Sequence, residues 1–503
     1  MTIYNINLGI GWASSGVEYA QAYRAGVLRE LGIPAKFIFT DFFQTENLQH
    51  FTSNIGFEDQ EVIWLYTAFT DQKMTESTFS LTELEETFSA EIASKVAQGD
   101  LVRYQFEASD LQVTAFMHDT EKGYLQRVEY LSQGTLFRKD YYSDCKVFSE
   151  FYAKDGDKLR LYKRSFFNRD GRIAYEELLN TDNTSLFRFP EKICYSKDEL
   201  VAYFLEKLAL TSQDIILLDR ATGIGQSVFQ HKGAAKLAVV IHAEHFNEKA
   251  SNKQNVLWNN YYEYQFTNAD KVDAFIASTE KQKEVLVQQF KTYTDFEPKI
   301  YSIPVGSLDK LRRPMANRKP FSMITGSRLA AEKHIDWLVQ AVINAHQQLP
   351  QLTFDIYGEG GQRQLLVKMI EENAAQDYIH LKGHQDLTEI YQDYEVYLTA
   401  STSEGFGLTL MEAVGSGLPL IGLDVPYGNQ TFVDNGKNGY LIPRQEPDDA
   451  AQMAEAFADR IVAFYKDLYR ESTYEYSYQK ASAFLNKELE AEWTRFVKEL
   501  ADD

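Results

Sequence analysis

Cysteine is nearly absent from this chain. The two residues, Cys145 and Cys194, are too few and too far apart for a disulfide framework or a paired-cysteine zinc or redox motif, and this usage fits a reducing compartment. Positive charge is also in short supply: 51 Lys and Arg against 73 Asp and Glu leave a net charge of −22. General nucleic-acid binding needs a basic surface and is disfavoured. A polyanionic acceptor is disfavoured too, unless a local basic groove overrides the total. No run approaches the eighteen or so apolar residues that would span a membrane. The start, Met1-Thr2-Ile3-Tyr4-Asn5, lacks the basic and apolar regions of a signal peptide. A cytoplasmic location is expected.

What the chain does have is ordinary bulk and unusual aromatics. With 503 residues, 44% hydrophobic and 25% charged, it can bury the cores of two or three domains. Its 31 Tyr and 33 Phe point to a β-rich part or to a partner surface.

The first residues read as a βαβ opening: a strand over 3–10, a glycine loop through Gly9, Gly11 and Gly16, a helix over 17–31 and a strand over 36–40. The α/β alternation then fails. From about residue 101 to 190 the chain reads as short strands with alternating polarity. They are separated by turn signals: Glu121-Lys122-Gly123, Gln133-Gly134, Asp155-Gly156-Asp157 and Arg169-Asp170-Gly171. This pattern predicts an antiparallel meander with one wet face, inserted into the first α/β domain. The α/β rhythm resumes near Lys197, with buried strands over 215–219 and 237–242 and further strands over 274–278 and 299–304. A basic segment, 310–319, reads as a linker. A second α/β domain follows, with strands starting at Phe321, Thr353, Ile379, Val396 and Leu418, and then a helical tail. The expected boundaries are 1–44 with 193–305 for the first Rossmann-like domain, 45–192 for the meander, 306–474 for the second Rossmann-like domain, and 475–503 for a helix returning to the first.

Two segments of the second domain carry chemistry. In Ser403-Glu404-Gly405-Phe406-Gly407-Leu408-Thr409-Leu410-Met411-Glu412, two carboxylates bracket a glycine-rich loop after an apolar strand. Carboxylates accept hydrogen bonds from sugar hydroxyls. The glycines let backbone approach a ligand, and a helix entrance offers N–H donors to a diphosphate. The plainer alternative is a charged loop followed by a helix with Glu in its first turn. In Gly326-Ser327-Arg328-Leu329-Ala330-Ala331-Glu332-Lys333, two cations follow another buried strand and can clamp a departing diphosphate. Alone, an Arg and a Lys on a loop are more often solvated charges. Both segments follow strands of one sheet, so they can share a crevice at its carboxyl end.

Weaker signals lie elsewhere. The loop Gly11-Trp12-Ala13-Ser14-Ser15-Gly16-Val17-Glu18 either approaches phosphates or simply turns the chain. His242, in His242-Ala243-Glu244-His245, either bonds a sugar hydroxyl or is a satisfied core histidine. His242 and His245 lack further metal ligands, and no metal site is expected. Tyr357-Gly358-Glu359-Gly360 either lines a base pocket or caps a helix, and Asp434-Asn435-Gly436-Lys437-Asn438-Gly439 is a turn.

Taken together and in order, these pieces resemble family-4 retaining glycosyltransferases of the GT-B fold. The start, Ile3-Tyr4-Asn5-Ile6-Asn7 with Gly11 to Gln21, and the meander resemble more closely the A subunits of accessory-Sec glycosyltransferases. The resemblance implies two facing Rossmann-like domains with an inserted β-meander. It implies transfer of N-acetylglucosamine from UDP-GlcNAc to Ser and Thr of serine-rich-repeat adhesins, with retained configuration. No cofactor or metal is implied, since cations take that role. The implied partners are a homologous B subunit and the Ser/Thr-rich polypeptide, with the meander as platform for both, and peripheral contact with the inner face of the cell membrane. The implied catalytic set is His242, Arg328, Lys333 and Glu404. Donor contacts fall to Gly16, Val17, Arg328, Lys333, Tyr357, Gly358, Glu404, Gly405, Phe406, Gly407, Leu408 and Glu412, and the acceptor side to Ser14, Ser15 and His242. Rival readings are a poly(glycerol-phosphate) α-glucosyltransferase of wall teichoic acid and a non-catalytic acceptor-binding or chaperone subunit.

Overall fold

The opening strand, Ile3–Asn7, pairs in parallel with Ala35–Phe39 on one side and Ile215–Leu218 on the other. The computed structural model describes residues 1–11, 16–107, 110–182, 184–444, 447–468 and 471–502. The chain divides into two units, Met1–Ala238 and Val239–Asp503.

In the first unit the helix Gly16–Glu30 buries a polar face. Arg24 bonds both Asp219 oxygens at 2.9 Å, and Gln21 donates to Asp219 at 2.8 Å. Asn7 donates to Glu18 at 3.2 Å and to Gln21 at 3.1 Å. Buried polar groups are tolerable when they satisfy one another, so Glu18 and Gln21 of the opening motif lock the helix to its sheet. The strand Val62–Trp64 pairs in parallel with Ala35–Phe39. The parallel sheet therefore runs past residue 44, where the sequence reading ended this part of the domain.

The meander has ten strands: Ile92–Gln98, Leu101–Phe106, Leu111–Asp119, Tyr124–Ser132, Thr135–Tyr142, Lys146–Asp155, Lys158–Phe167, Ile173–Leu179, Ser185–Arg188 and Ile193–Cys194. Each pairs antiparallel with its sequence neighbours. The Gln133-Gly134 turn has φ of 48° and 70°, the positive pair that a two-residue hairpin requires. Val102, Tyr104, Phe106, Val113, Ala115, Leu125 and Val128 form a core under the helix Leu81–Glu86. Much of the aromatic content goes inward: Phe166 stacks on Tyr175 at 4.4 Å, Tyr66 on Phe166 at 5.8 Å, and the Tyr175 hydroxyl donates to the Tyr66 carbonyl at 2.6 Å.

In the second unit a six-stranded sheet runs in the order Ile379–Gly383, Thr353–Tyr357, Ser322–Gly326, Val396–Thr399, Leu420–Leu423, Gly439–Ile442, with every pairing parallel. In sequence order this is 3-2-1-4-5-6, the dinucleotide-fold topology. Its switch point lies between the strands Ser322–Gly326 and Val396–Thr399. The sequence reading stopped one strand short, taking the residues before Gly439–Ile442 only as a turn. The basic segment 310–319 is stapled rather than loose. Arg318 donates to the carbonyls of Gln392, Tyr394 and Ser416 at 2.7–2.9 Å, and Arg313 pairs with Glu475. The final helix, Asn486–Asp502, lies against the strand Ile300–Ser302, where Tyr301 packs on Phe496 at 5.0 Å and bonds Glu499 at 2.8 Å.

Candidate functional site

Both chemistry-bearing segments leave the sheet at the switch point. The strand Ser322–Gly326 runs into Ser327 and Arg328, then a short 3-10 turn, Ala331–Lys333. The neighbouring strand Val396–Thr399 runs into Ser401 and Glu404. Lys333 Nζ meets Glu404 Oε2 at 2.7 Å and Ser401 Oγ at 3.1 Å. The two loops are thus tied by a half-buried ion pair, with side chains 18% and 20% exposed, shielded more than a surface pair. Arg328 projects into solvent, and among the described residues its guanidinium pairs with Glu332 alone, at 3.5 Å. It retains most of its five donors for an anion.

Glu412 stands elsewhere than its motif suggests. The helix begins at Leu408, so Glu412 falls in the second turn, with no acidic residue in the first. The plain reading of an N-terminal helix glutamate therefore does not hold. Its Oε2 accepts from the Tyr391 hydroxyl at 3.2 Å. Above it, the Tyr397 hydroxyl donates to the Gly326 carbonyl at 2.9 Å and lies 3.0 Å from Thr409 Oγ1. Burial pushes that phenol up to about 12, so it stays a neutral bridge between the two strands' loops. Sequence reasoning missed Tyr391, Tyr397, Thr409 and Ser401. The available signal was a tyrosine inside an apolar strand, whose hydroxyl must find a partner.

Glycines set how closely this loop packs. A Cβ on Gly405 would stand 2.5 Å from the His242 carbonyl oxygen, so the Glu404 loop lies directly on the segment after the strand Lys236–Ile241. Gly407 has φ of 86°, a conformation costly for any side chain. Tyr427 and Gly428 donate their N–H groups to the Glu404 carbonyl, each at 2.8 Å, which fixes the loop from its far side. Phe406 is core: it packs on Phe432 at 5.2 Å and Phe484 at 5.9 Å, leaving only its backbone for a ligand. Leu408 is partly buried at the helix start.

Tyr357 is also turned inward. Its hydroxyl lies 3.0 Å from that of Tyr394, which donates to Asp355 at 2.6 Å. Its backbone carbonyl accepts from Ser327 N at 3.0 Å, so Tyr357 and Gly358 reach the site as backbone. His242 is partly buried, and its N–H donates to the Tyr262 hydroxyl at 2.9 Å. His245 is the satisfied core histidine. Nε2 lies 2.7 Å from Gln289 Oε1, Nδ1 lies 3.2 Å from the Tyr427 hydroxyl, and burial depresses its pKa to about 4. In the first unit, Gly16 and Val17 open the helix Gly16–Glu30, whereas Ser14 and Ser15 lie outside the described residues. Among the described residues, no three His, Cys, Asp or Glu side chains group as metal ligands.

Residues 320–467 match the model of group 1 glycosyl transferases, and residues 94–191 match the GtfA extended β-sheet domain. A UDP-N-acetylglucosamine–peptide N-acetylglucosaminyltransferase GtfA subunit from Streptococcus parasanguinis is 59% identical, with 100% of both chains covered. The chain belongs to the GtfA-subunit family. Two solved structures agree. The pneumococcal O-GlcNAc transferase GtfA, in complex with UDP and GlcNAc, is 53% identical with a TM-score of 0.95, covering 100% of this chain and 99% of that one. A GtfA/B complex chain is 54% identical, also at 0.95, covering 100% of both. The fold class is GT-B with an inserted antiparallel sheet, as the sequence reading expected, and within this family the meander corresponds to the extended β-sheet domain.

Proposed function

We propose that the chain is the catalytic subunit of a UDP-GlcNAc:protein O-N-acetylglucosaminyltransferase, moving N-acetylglucosamine to Ser and Thr hydroxyls of a serine-rich-repeat adhesin. The observation that carries this reading is the Lys333–Glu404 pair at the sheet's switch point, beside a solvent-facing Arg328. It stands in a chain 59% identical end to end to a transferase of that name.

In this reading Arg328 and Lys333 receive the diphosphate and Glu404 accepts from the hexose hydroxyls. Glu412 accepts from the ribose, with Tyr391 at its flank. Backbone at Gly358 and over Gly405–Leu408 closes on the donor. His242, with Ser14 and Ser15, serves the acceptor side. The bond from the anomeric carbon to the phosphate oxygen breaks, and UDP leaves with the electron pair. The acceptor oxygen bonds to that carbon from the same face, giving retention, and its proton passes to the departing phosphate. Cations aimed at a phosphate that gains charge act where the transition state needs them. His242 shapes the reacting face. The chain works with a homologous B subunit, a role supported by the GtfA/B complex of its relative. The unpaired Cys145 and Cys194 and the nucleotide-sugar donor fit action in the cytoplasm, with at most peripheral contact with the membrane.

The test is Glu404→Gln, assayed by mass spectrometry of a Ser/Thr-rich acceptor incubated with UDP-GlcNAc, with and without the B subunit. Transfer should fall about 10²–10³-fold. Full transfer with unchanged donor affinity would sink the assignment. Transfer to poly(glycerol phosphate) instead, or activity only as an activator of another subunit, would replace it with one of the rival readings.

A further inference from the structure

Glu244 takes no part in the reading above, yet it stands beside the donor loop. It follows His242 by two residues, and the His242 carbonyl presses on Gly405. Its partly buried carboxylate faces Ser403, the residue before Glu404, and Ser403 Oγ lies 3.5 Å from its Oε2. That is the long limit of a hydrogen bond. Its backbone is fixed, because the Glu244 carbonyl accepts from Asn259 at 3.0 Å.

The carboxylate is poorly compensated. Among the described residues no cation is paired with it within 4.0 Å. Arg444, whose charge favours the ionised form of Glu244, is held in a two-pronged contact with Asp448 at 2.6 and 2.7 Å. Burial, and then the like charge of Glu248, raise its pKa above the ordinary carboxylate value. A half-buried acceptor with one long bond costs stability, and such groups concentrate where ligands complete them. Glu404 has one oxygen taken by Lys333, whereas a hexose presents several hydroxyls. Ser403, which the Glu244 carboxylate faces, adjoins Glu404, so this second carboxylate stands beside the loop read as the hexose contact.

We infer that Glu244 is a further donor-specificity residue, whose carboxylate accepts a hydrogen bond from a hydroxyl of the transferred hexose. The inference rests on the transferase reading and adds a sugar contact to it. It predicts a loss confined to the sugar half of the donor. In the full chain, Glu244→Ala should weaken UDP-GlcNAc binding about tenfold by calorimetry and leave UDP binding within about twofold of wild type. Glu244→Gln keeps one acceptor oxygen and should fall between the two. Equal weakening of UDP and UDP-GlcNAc overturns the inference, because a general disturbance of the loop would act on both. Unchanged UDP-GlcNAc binding in both variants overturns it as well, while leaving the transferase reading in place. A wild-type chain that binds neither ligand overturns that reading and this inference with it.

Discussion

At the scale of single residues, Gly405 decides whether the site can form. A methyl group there would stand 2.5 Å from the His242 oxygen and 3.4 Å from the Ala243 Cα, and both obstacles are backbone. The loop carrying Glu404 must retreat. A shift of about 1 Å at a positioning group can cost about 10²-fold in rate. Gly405→Ala should therefore lower kcat/KM on that order while the melting temperature moves little. Gly361→Ala, with open space around it, is the control and should be silent. Steady-state kinetics beside a thermal melt checks both. Of the residues in this site, Glu404 and Lys333 were legible, because charged side chains after apolar strands declare themselves. Tyr397 and Tyr391 were not, because their contacts depend on neighbours at sequence distances that only the fold brings together.

At the scale of elements, the meander holds one ion cluster out of water. Arg164 Nε meets Glu150 at 3.0 Å and NH1 meets Glu177 at 2.9 Å, with side chains 11%, 0% and 4% exposed. Its guanidinium also lies 3.8 Å from the Phe42 ring centre, which fixes the meander to the segment after the strand Ala35–Phe39. Removing one partner of a buried pair leaves the other charge uncompensated and costs about 3–5 kcal/mol. Arg164→Ala should destabilise the chain by that amount in urea unfolding followed by circular dichroism. A loss near that of an exposed pair, below about 1 kcal/mol, would show the cluster to be solvated. The hairpins themselves were readable from alternation and from turns such as Gln133-Gly134. The strands Val62–Trp64 and Ile92–Gln98 were not. The first is only 3 residues long, and the second exposes most of its positions and so shows little alternation.

At the scale of the whole molecule, stability should depend on pH through His245. Its folded pKa is lowered from the ordinary 6.5 to about 4 by burial. Between those values the unfolded chain binds the proton and the folded chain does not. Stability is therefore complete above pH 6.5, falls as pH drops through that window, and loses nothing further from this group below about pH 4. At about 1.4 kcal/mol per pKa unit the full loss is roughly 3 kcal/mol. The measurable form is a comparison. His245→Gln should be less stable than wild type at pH 7, and the gap should narrow as pH falls towards 4.5. Two stability curves that stay parallel would rule out this source. The net charge of −22 acts in the opposite direction, since acid relieves self-repulsion, and the comparison removes that common effect.

The ten-stranded sheet has a property of another kind. Every strand lies beside the strands that precede and follow it in the chain. Among the described residues no strand of this sheet is inserted between earlier ones. The sheet can therefore lengthen or shorten by whole hairpins at its Ile92–Gln98 edge without rerouting the backbone. Its pairings also close over short distances in sequence, which favours rapid formation. Width is then a quantity that evolution, or a protein engineer, can tune in steps while the α/β framework that carries the nucleotide-sugar chemistry is left as it is.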